Sequence, residues 1–246
     1  MKYIFTDPET HMDFGFGLLA SNFHSTANYL WDSNPNRKTT GLLPNLYLYR
    51  HSIELYLKSL IIIIHKKMKL NYKNGTIPFD SREPYIGYTD SNGIKGWKKI
   101  TNSHFISSLY DYFKALVLKY EDDLREKSSQ EMSIIINPEN QKIVDHIKKY
   151  DDRSTFFRYF DLSTTISDDK EVEKKYNKRI PLEEFHPDEN KPSSAFLVIN
   201  EINEIVEIHQ TAKDMPLKEL GRDLRNLADY LSGIHVMFRT CLCNGF

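Results

Sequence analysis

The sequence predicts a mostly all-α fold, a bundle of about five long helices. Two observations lead there: apolar residues recur every three or four positions in five separate stretches, and helix breakers gather in two others, near 71–100 and 161–200. Helices striped in this way bury their apolar faces against one another. No internal repeat is visible in the 246 residues, so a single helical domain over 1–246 with two loop-rich inserts is the expected organisation.

The first helix is expected near 12–32, where Leu19, Phe23, Ala27, Leu30 and Trp31 fall on one face. The turn-rich SNPNRK ends it. The second is expected over 41–70, with Gly41 and Pro44 marking its start, since proline is tolerated in a first turn. Leu46, Tyr49, Ile53, Leu57, Leu60, Ile61 and Ile64 keep helical spacing, while Leu48, Leu55 and Ile62 cover other sides, which predicts a central helix. Residues 71–100 hold Asn74-Gly75, Pro78, Pro84, Gly87, Asn92-Gly93 and Gly96, an insert with room for a small hairpin. A third helix is expected over 103–124 with Ser103 as N-cap, and a fourth over 138–150 after Asn137-Pro138. Residues 161–200 are polar and carry the charge run DDKEVEKKYNKR, and FLVINEINEIVEI, 196–208, fits strand alternation and helical spacing alike. The last helix is expected over 216–241, with Leu217, Leu220, Leu224, Leu227, Leu231, Ile234, Val236 and Phe238 in register.

Lys+Arg 33 against Asp+Glu 34 gives a formal net charge of -1, which argues against a dedicated duplex-DNA binder while leaving room for a local basic patch. Cys241 and Cys243 stand two residues apart with no metal-ligand partner near them, so a reducing cytoplasm is expected and no metal or cofactor is implied. The apolar run Leu60–Ile64 is far shorter than the ~20 residues a bilayer requires, so no membrane partner is expected. The phosphate-loop, GxGxxG, HExxH, GxSxG and CxxC patterns are absent from the sequence.

Three constellations carry chemistry. In YRHSIELYLK, 49–58, Arg50, Glu54 and Lys58 stack along one helix face by their spacing of four. On a helix apolar almost all round, that stripe either fixes how helices dock or lines a functional groove. His51 and His104 are general acid/base candidates, because imidazole titrates near neutrality, and equally plain structural residues. In GRDLRNLADYLSGIH, 221–235, Arg225, Asn226 and Asp229 cluster within about two turns, and Arg225 can pair with Asp229 at i,i+4. His235 lies about 15 Å further along a straight helix, so it could meet Arg225 only across two chains packed about a symmetry axis.

YRHSIELYLKSL resembles a segment of the HEPN superfamily, the higher-eukaryote and prokaryote nucleotide-binding helical domains. NSHFISSLYDYF, 102–113, resembles the family's His-Asp-Leu segment opening a helix, and DDRSTFFRYF, 151–160, with Arg158, resembles its Phe-Arg-Tyr-Pro segment; the order agrees over about 120 residues. The resemblance implies an up-and-down bundle, often a homodimer, from toxin-antitoxin and antiviral defence systems, where many members are metal-independent endoribonucleases. Their motif is Arg, a polar residue, and His after a spacer of four to six, with imidazole assisting attack by the 2'-hydroxyl and guanidinium stabilising the phosphorane. Here Arg225-Asn226 begins that motif, but Tyr230 stands where His would, and His235 is too far. The only pair with the right spacer, Arg179 and His186, lies in the polar insert, and Phe160 replaces the usual proline.

The expectation is a HEPN-like module that binds RNA, a nucleotide or a partner protein encoded nearby, as a homodimer and without metal. Its binding candidates are Arg50, His51, Glu54, Lys58, His104 and Arg158. The alternatives are a metal-independent endoribonuclease using Arg225 and Asn226, with Tyr230 at the motif's histidine position and His51 or His235 as a non-standard acid/base, and a purely structural scaffold.

Overall fold

The computed structural model describes residues 11–33, 39–70, 85–89, 93, 95–129, 132, 136–151, 177–180, 195–200, 202, 205–211 and 216–243. Its helices are α1 (Phe16–Ser33), α2 (Thr39–Met68), α3 (Ile106–Glu126), α4 (Pro138–Asp151) and α5 (Pro216–Cys243). They meet the five expected stretches and form a mostly all-α fold. Strands β1 (Tyr85–Thr89) and β2 (Lys95–Lys99) make an antiparallel hairpin in the first insert. β3 (Asn177–Ile180), β4 (Ala195–Ile199) and β5 (Ile205–Thr211) make an antiparallel sheet in the order β3-β5-β4. The second excursion is therefore not only loop, and it runs on past 200. The ambiguous 196–208 stretch divides into two strands around an Asx turn, in which Ile202 N–H donates to Asn200 Oδ1 at 3.1 Å.

α2 is the central helix. Every residue from Ser52 to His65 is buried, and α1, α3 and α5 pack around it while α4 lies against α3 and α5. Tyr49, Ile53, Leu57, Leu60 and Ile61 are wholly enclosed, each aliphatic among them contributing roughly 1.5–3 kcal/mol by leaving water. The helix ends in a Schellman motif. Lys69 is left-handed (φ 50), with Lys69 N–H on Lys66 O at 3.3 Å and Leu70 N–H on His65 O at 3.1 Å, so two end carbonyls are satisfied.

Three starts differ from expectation. α1 opens at Phe16 rather than 12, because Phe14 (φ 57) and Gly15 (φ 80) are left-handed and Asp13 caps the first turn. Asp13 accepts from Gly15 N at 3.0 Å and from Gly17 N at 2.7 Å. α2 opens at Thr39, which puts Pro44 inside the helix, beyond the first turn. α3 opens at Ile106 after a short 3-10 turn, Ile100–Asn102; Ser103 does not cap it, and its hydroxyl is buried without a partner among the described residues. α4 starts as expected, with Pro138 first and Asn137 Oδ1 accepting from Glu139 N at 2.9 Å.

Candidate functional site

The spacing of four on α2 brings Arg50, Glu54 and Lys58 into one line, and the start of α3 adds His104. Glu54 is the hub. Its Oε2 accepts from Arg50 Nη1 at 2.9 Å, and its Oε1 accepts from Lys58 Nζ at 2.7 Å and lies 3.0 Å from His104 Nδ1. Arg50 also donates from Nη2 to the His104 carbonyl at 2.6 Å, tying α2 to the approach to α3. Burial alone would raise the Glu54 pKa, but the charges and hydrogen bonds of Lys58, Arg50 and His104 together hold it down at about 2.

Lys58 is 3% exposed, and its ammonium has one hydrogen-bond partner among the described residues, Glu54. An ammonium carries three donors, so this one has capacity left in a place closed to most water. The cluster reaches the surface at His104, whose side chain is 45% exposed. Lys58 Nζ and His104 Nδ1 touch the same carboxylate oxygen, so the interior cation and the surface imidazole sit side by side.

His51 does not join them. It is held between aromatic rings, stacked on Tyr47 at 5.7 Å and edge-on to Phe23 of α1 at 4.6 Å. Arg158, Phe160 and His186 lie outside the described residues, and of Arg179 only the backbone, in β3, is described.

The α5 residues scatter around their helix. Arg225 is 31% exposed and pairs with Asp32 of α1 at 2.9 Å and, as its i,i+4 spacing predicts, more loosely with Asp229 at 3.9 Å. Asn226 is exposed. Tyr230 faces α4, hydrogen-bonded to Asn140, with burial first among the causes that push its phenol up. His235 is buried at the start of α1, its Nε2 3.5 Å from Asp13 Oδ2. Arg225, Tyr230 and His235 thus point to three different neighbours and form no common site within one chain.

Two groupings escaped the sequence reading. Asp13 Oδ2 accepts from Ser59 Oγ at 2.6 Å besides facing His235, a buried knot that pins α1 to α2 and α5. Burial works to raise the Asp13 pKa, yet His235, Ser59 and Gly17 N–H hold it well below the usual carboxylate range. The second is His24 of α1, with Nε2 3.0 Å from Asp229 Oδ1 and Nδ1 3.5 Å from Tyr56 Oη, which itself reaches Ser232 Oγ at 3.2 Å. Burial lowers the His24 pKa most, Asp229 pulls it up and Arg225 pulls it down. The net direction is down, so the imidazole is neutral near pH 7. No motif announces either group, since the side chains that touch stand 32 to 222 positions apart along the chain.

Among the described residues no His, Cys, Asp and Glu side chains gather as a metal site, and no helix is long and apolar enough to cross a membrane. Comparison of this chain with protein-family models, curated proteins and solved structures finds no match. The fold and site define a helical bundle with an ion cluster built into its central helix.

Proposed function

We propose that the chain is a HEPN-like module that binds the phosphate groups of RNA or a nucleotide at Lys58, Arg50 and His104. The observation that carries this reading is the Lys58 ammonium, buried beside a half-exposed imidazole with donors to spare. A phosphate oxygen would supply the acceptor that a single carboxylate does not, through a charge-assisted bond stronger than a neutral one. The scaffold reading, in which the stripe only docks helices, explains Arg50, which bridges α2 to the His104 carbonyl. It gives no reason for a second cation at Lys58.

The test is calorimetric titration of the protein at low salt with inorganic pyrophosphate and with single-stranded RNA. Wild type is expected to bind, and His104→Ala and Lys58→Gln to bind at least about tenfold more weakly, as loss of a charge-assisted contact requires. A wild type that binds neither ligand, with Lys58→Gln merely melting early, would show the cluster to be a docking device.

A second reading has its own observation. His24 supplies a neutral imidazole beside Asp229 and Arg225, a pairing that could serve metal-independent RNA cleavage. It predicts cleavage in the presence of a chelator, abolished in His24→Asn and Arg225→Ala alike.

A further inference from the structure

Two histidines among the described residues set Nδ1 against a carboxylate and keep the rest of the ring at the surface. His104 Nδ1 lies 3.0 Å from Glu54 Oε1 with its side chain 45% exposed, and His146 Nδ1 lies 2.6 Å from Asp223 Oδ2 with its side chain 29% exposed. An ionised carboxylate only accepts, and Glu54, held at about 2, is ionised at neutral pH, so the shared proton stands on Nδ1 of His104. The neutral ring then turns the lone pair of Nε2 outward, where no described residue takes it. That is the arrangement of a nucleophilic or proton-accepting imidazole.

The surroundings separate the two rings. Asp223 has no ion-pair partner besides His146 among the described residues. Glu54 is shared with Arg50 and Lys58, and Lys58 Nζ touches the same carboxylate oxygen as His104 Nδ1, so positive charge stands beside this imidazole without leaving the interior. The residue after His104 is Phe105, the N-cap of α3. It provides no side-chain cap, and the first turn carries no acid, so the positive end of a 21-residue helix adds to the same field. Helix docking explains Arg50, whose guanidinium holds the His104 carbonyl, but it needs no imidazole whose reactive nitrogen faces water.

We propose that His104 is a phosphoryl acceptor, taking a phosphoryl group onto Nε2 from a small energy-rich donor of the phosphoramidate or acyl-phosphate class. The inference rests on the phosphate-binding reading above and adds a chemical step to it. The Nε2 lone pair attacks phosphorus and an N–P bond forms. The donor's bond from phosphorus to nitrogen or oxygen breaks, and its electron pair leaves with ammonia or with the carboxylate. The positive charge gained by the ring is balanced by Glu54, a positioning residue that keeps the Nδ1 proton in its hydrogen bond. The anionic phosphoryl oxygens then lie beside the α3 N-terminus and the cations of α2.

The test incubates the full chain with phosphoramidate and, in parallel, with acetyl phosphate at neutral pH. Digestion is also kept at neutral pH, because an N–P bond is acid-labile, and the nine histidines of the chain are compared by mass spectrometry. His104 is expected to be phosphorylated at least about tenfold faster than His146 by one donor or both, the factor that one charge-assisted contact to the transferred group supplies. That lead should vanish in denaturing urea, where Glu54 and α3 no longer stand beside the ring, and should shrink when pyrophosphate occupies the site. Lys58→Gln, provided that it folds, should slow the labelling of His104 about tenfold. No label on His104, a rate no faster than that of His146 or of the urea-unfolded chain, or labelling undiminished by pyrophosphate would overturn the inference. Pyrophosphate binding without phosphorylation overturns it and leaves the phosphate site standing. A wild type that neither binds pyrophosphate nor is phosphorylated overturns both.

Discussion

His65 is wholly buried near the end of α2, its Nε2 2.8 Å from Tyr112 Oη, and burial pushes its pKa down from 6.5 to about 3. The folded value lies below the unfolded one, so the unfolded chain binds the extra proton first. Stability from this group is full above pH 6.5 and is lost as the pH falls from there toward 3, a span on the order of 5 kcal/mol. Glu54, lowered from 4.5 to about 2, acts in the same direction but later: its contribution is present above pH 4.5 and is lost toward 2. Urea unfolding at pH 7 and pH 5 should therefore show wild type weakening between the two, and His65→Gln weakening much less. Equal slopes would mean that His65 is not the group responsible. Arg225 is the contrasting case, because its partner Asp32 is 64% exposed and water screens the pair. Arg225→Ala should lower stability by no more than ~1 kcal/mol, measured in the same urea experiment. That mildness leaves any effect on RNA readable as function.

At the scale of elements, two glycines set how closely the helices approach. A methyl on Gly221 of α5 would stand 2.6 Å from the Trp31 ring of α1 and 2.9 Å from Leu46 of α2, where three helices converge. A methyl on Gly17 would collide with the His235 ring and lie 2.6 Å from Asp13 Oδ2. Gly221→Ala should destabilise by roughly 1–3 kcal/mol through overpacking, despite the better helix propensity of alanine. Gly17→Ala should cost at least as much, since it also forces apart the buried Asp13–His235 contact. Gly233→Ala, with nothing within 4 Å, is the control and should be neutral or slightly stabilising in thermal melts. The helices themselves were legible because each repeats an apolar residue every turn, and a period that long survives a few exceptions. The Arg50–Glu54–Lys58 line was legible for the same reason, being a helical spacing. What joins one element to another was not. Nothing near Arg50 announces His104, nothing near Asp32 announces Arg225, and Gly17 reads as an ordinary residue until His235 is packed against it. The starts of α1 and α3 were misread because the capping work falls to Asp13 in one and to no side chain in the other. β4 and β5 were ambiguous because stretches of five and seven residues fit either period.

For the whole molecule, 33 basic and 34 acidic side chains cancel almost completely, so a polyanion meets no long-range attraction and any affinity must come from a few contacts. That separates a local site from a diffuse basic surface by an experiment that needs no variant. Each phosphate neutralised on a single strand releases counterions and steepens the fall of log affinity with log salt by about 0.7. The Lys58–His104 cluster accounts for one phosphate, or two if Arg50 is counted, which gives a slope between about -0.7 and -1.4. Fluorescence anisotropy of a labelled oligouridylate across a salt series measures it. A slope several times steeper would mean that lysines spread over the surface carry the binding. A slope near zero would mean that no phosphate is neutralised and that the buried ammonium of α2 serves the fold. With a slope in the expected range, Lys58→Gln should make it shallower by about 0.7, because the fixed charge that neutralises one phosphate is lost.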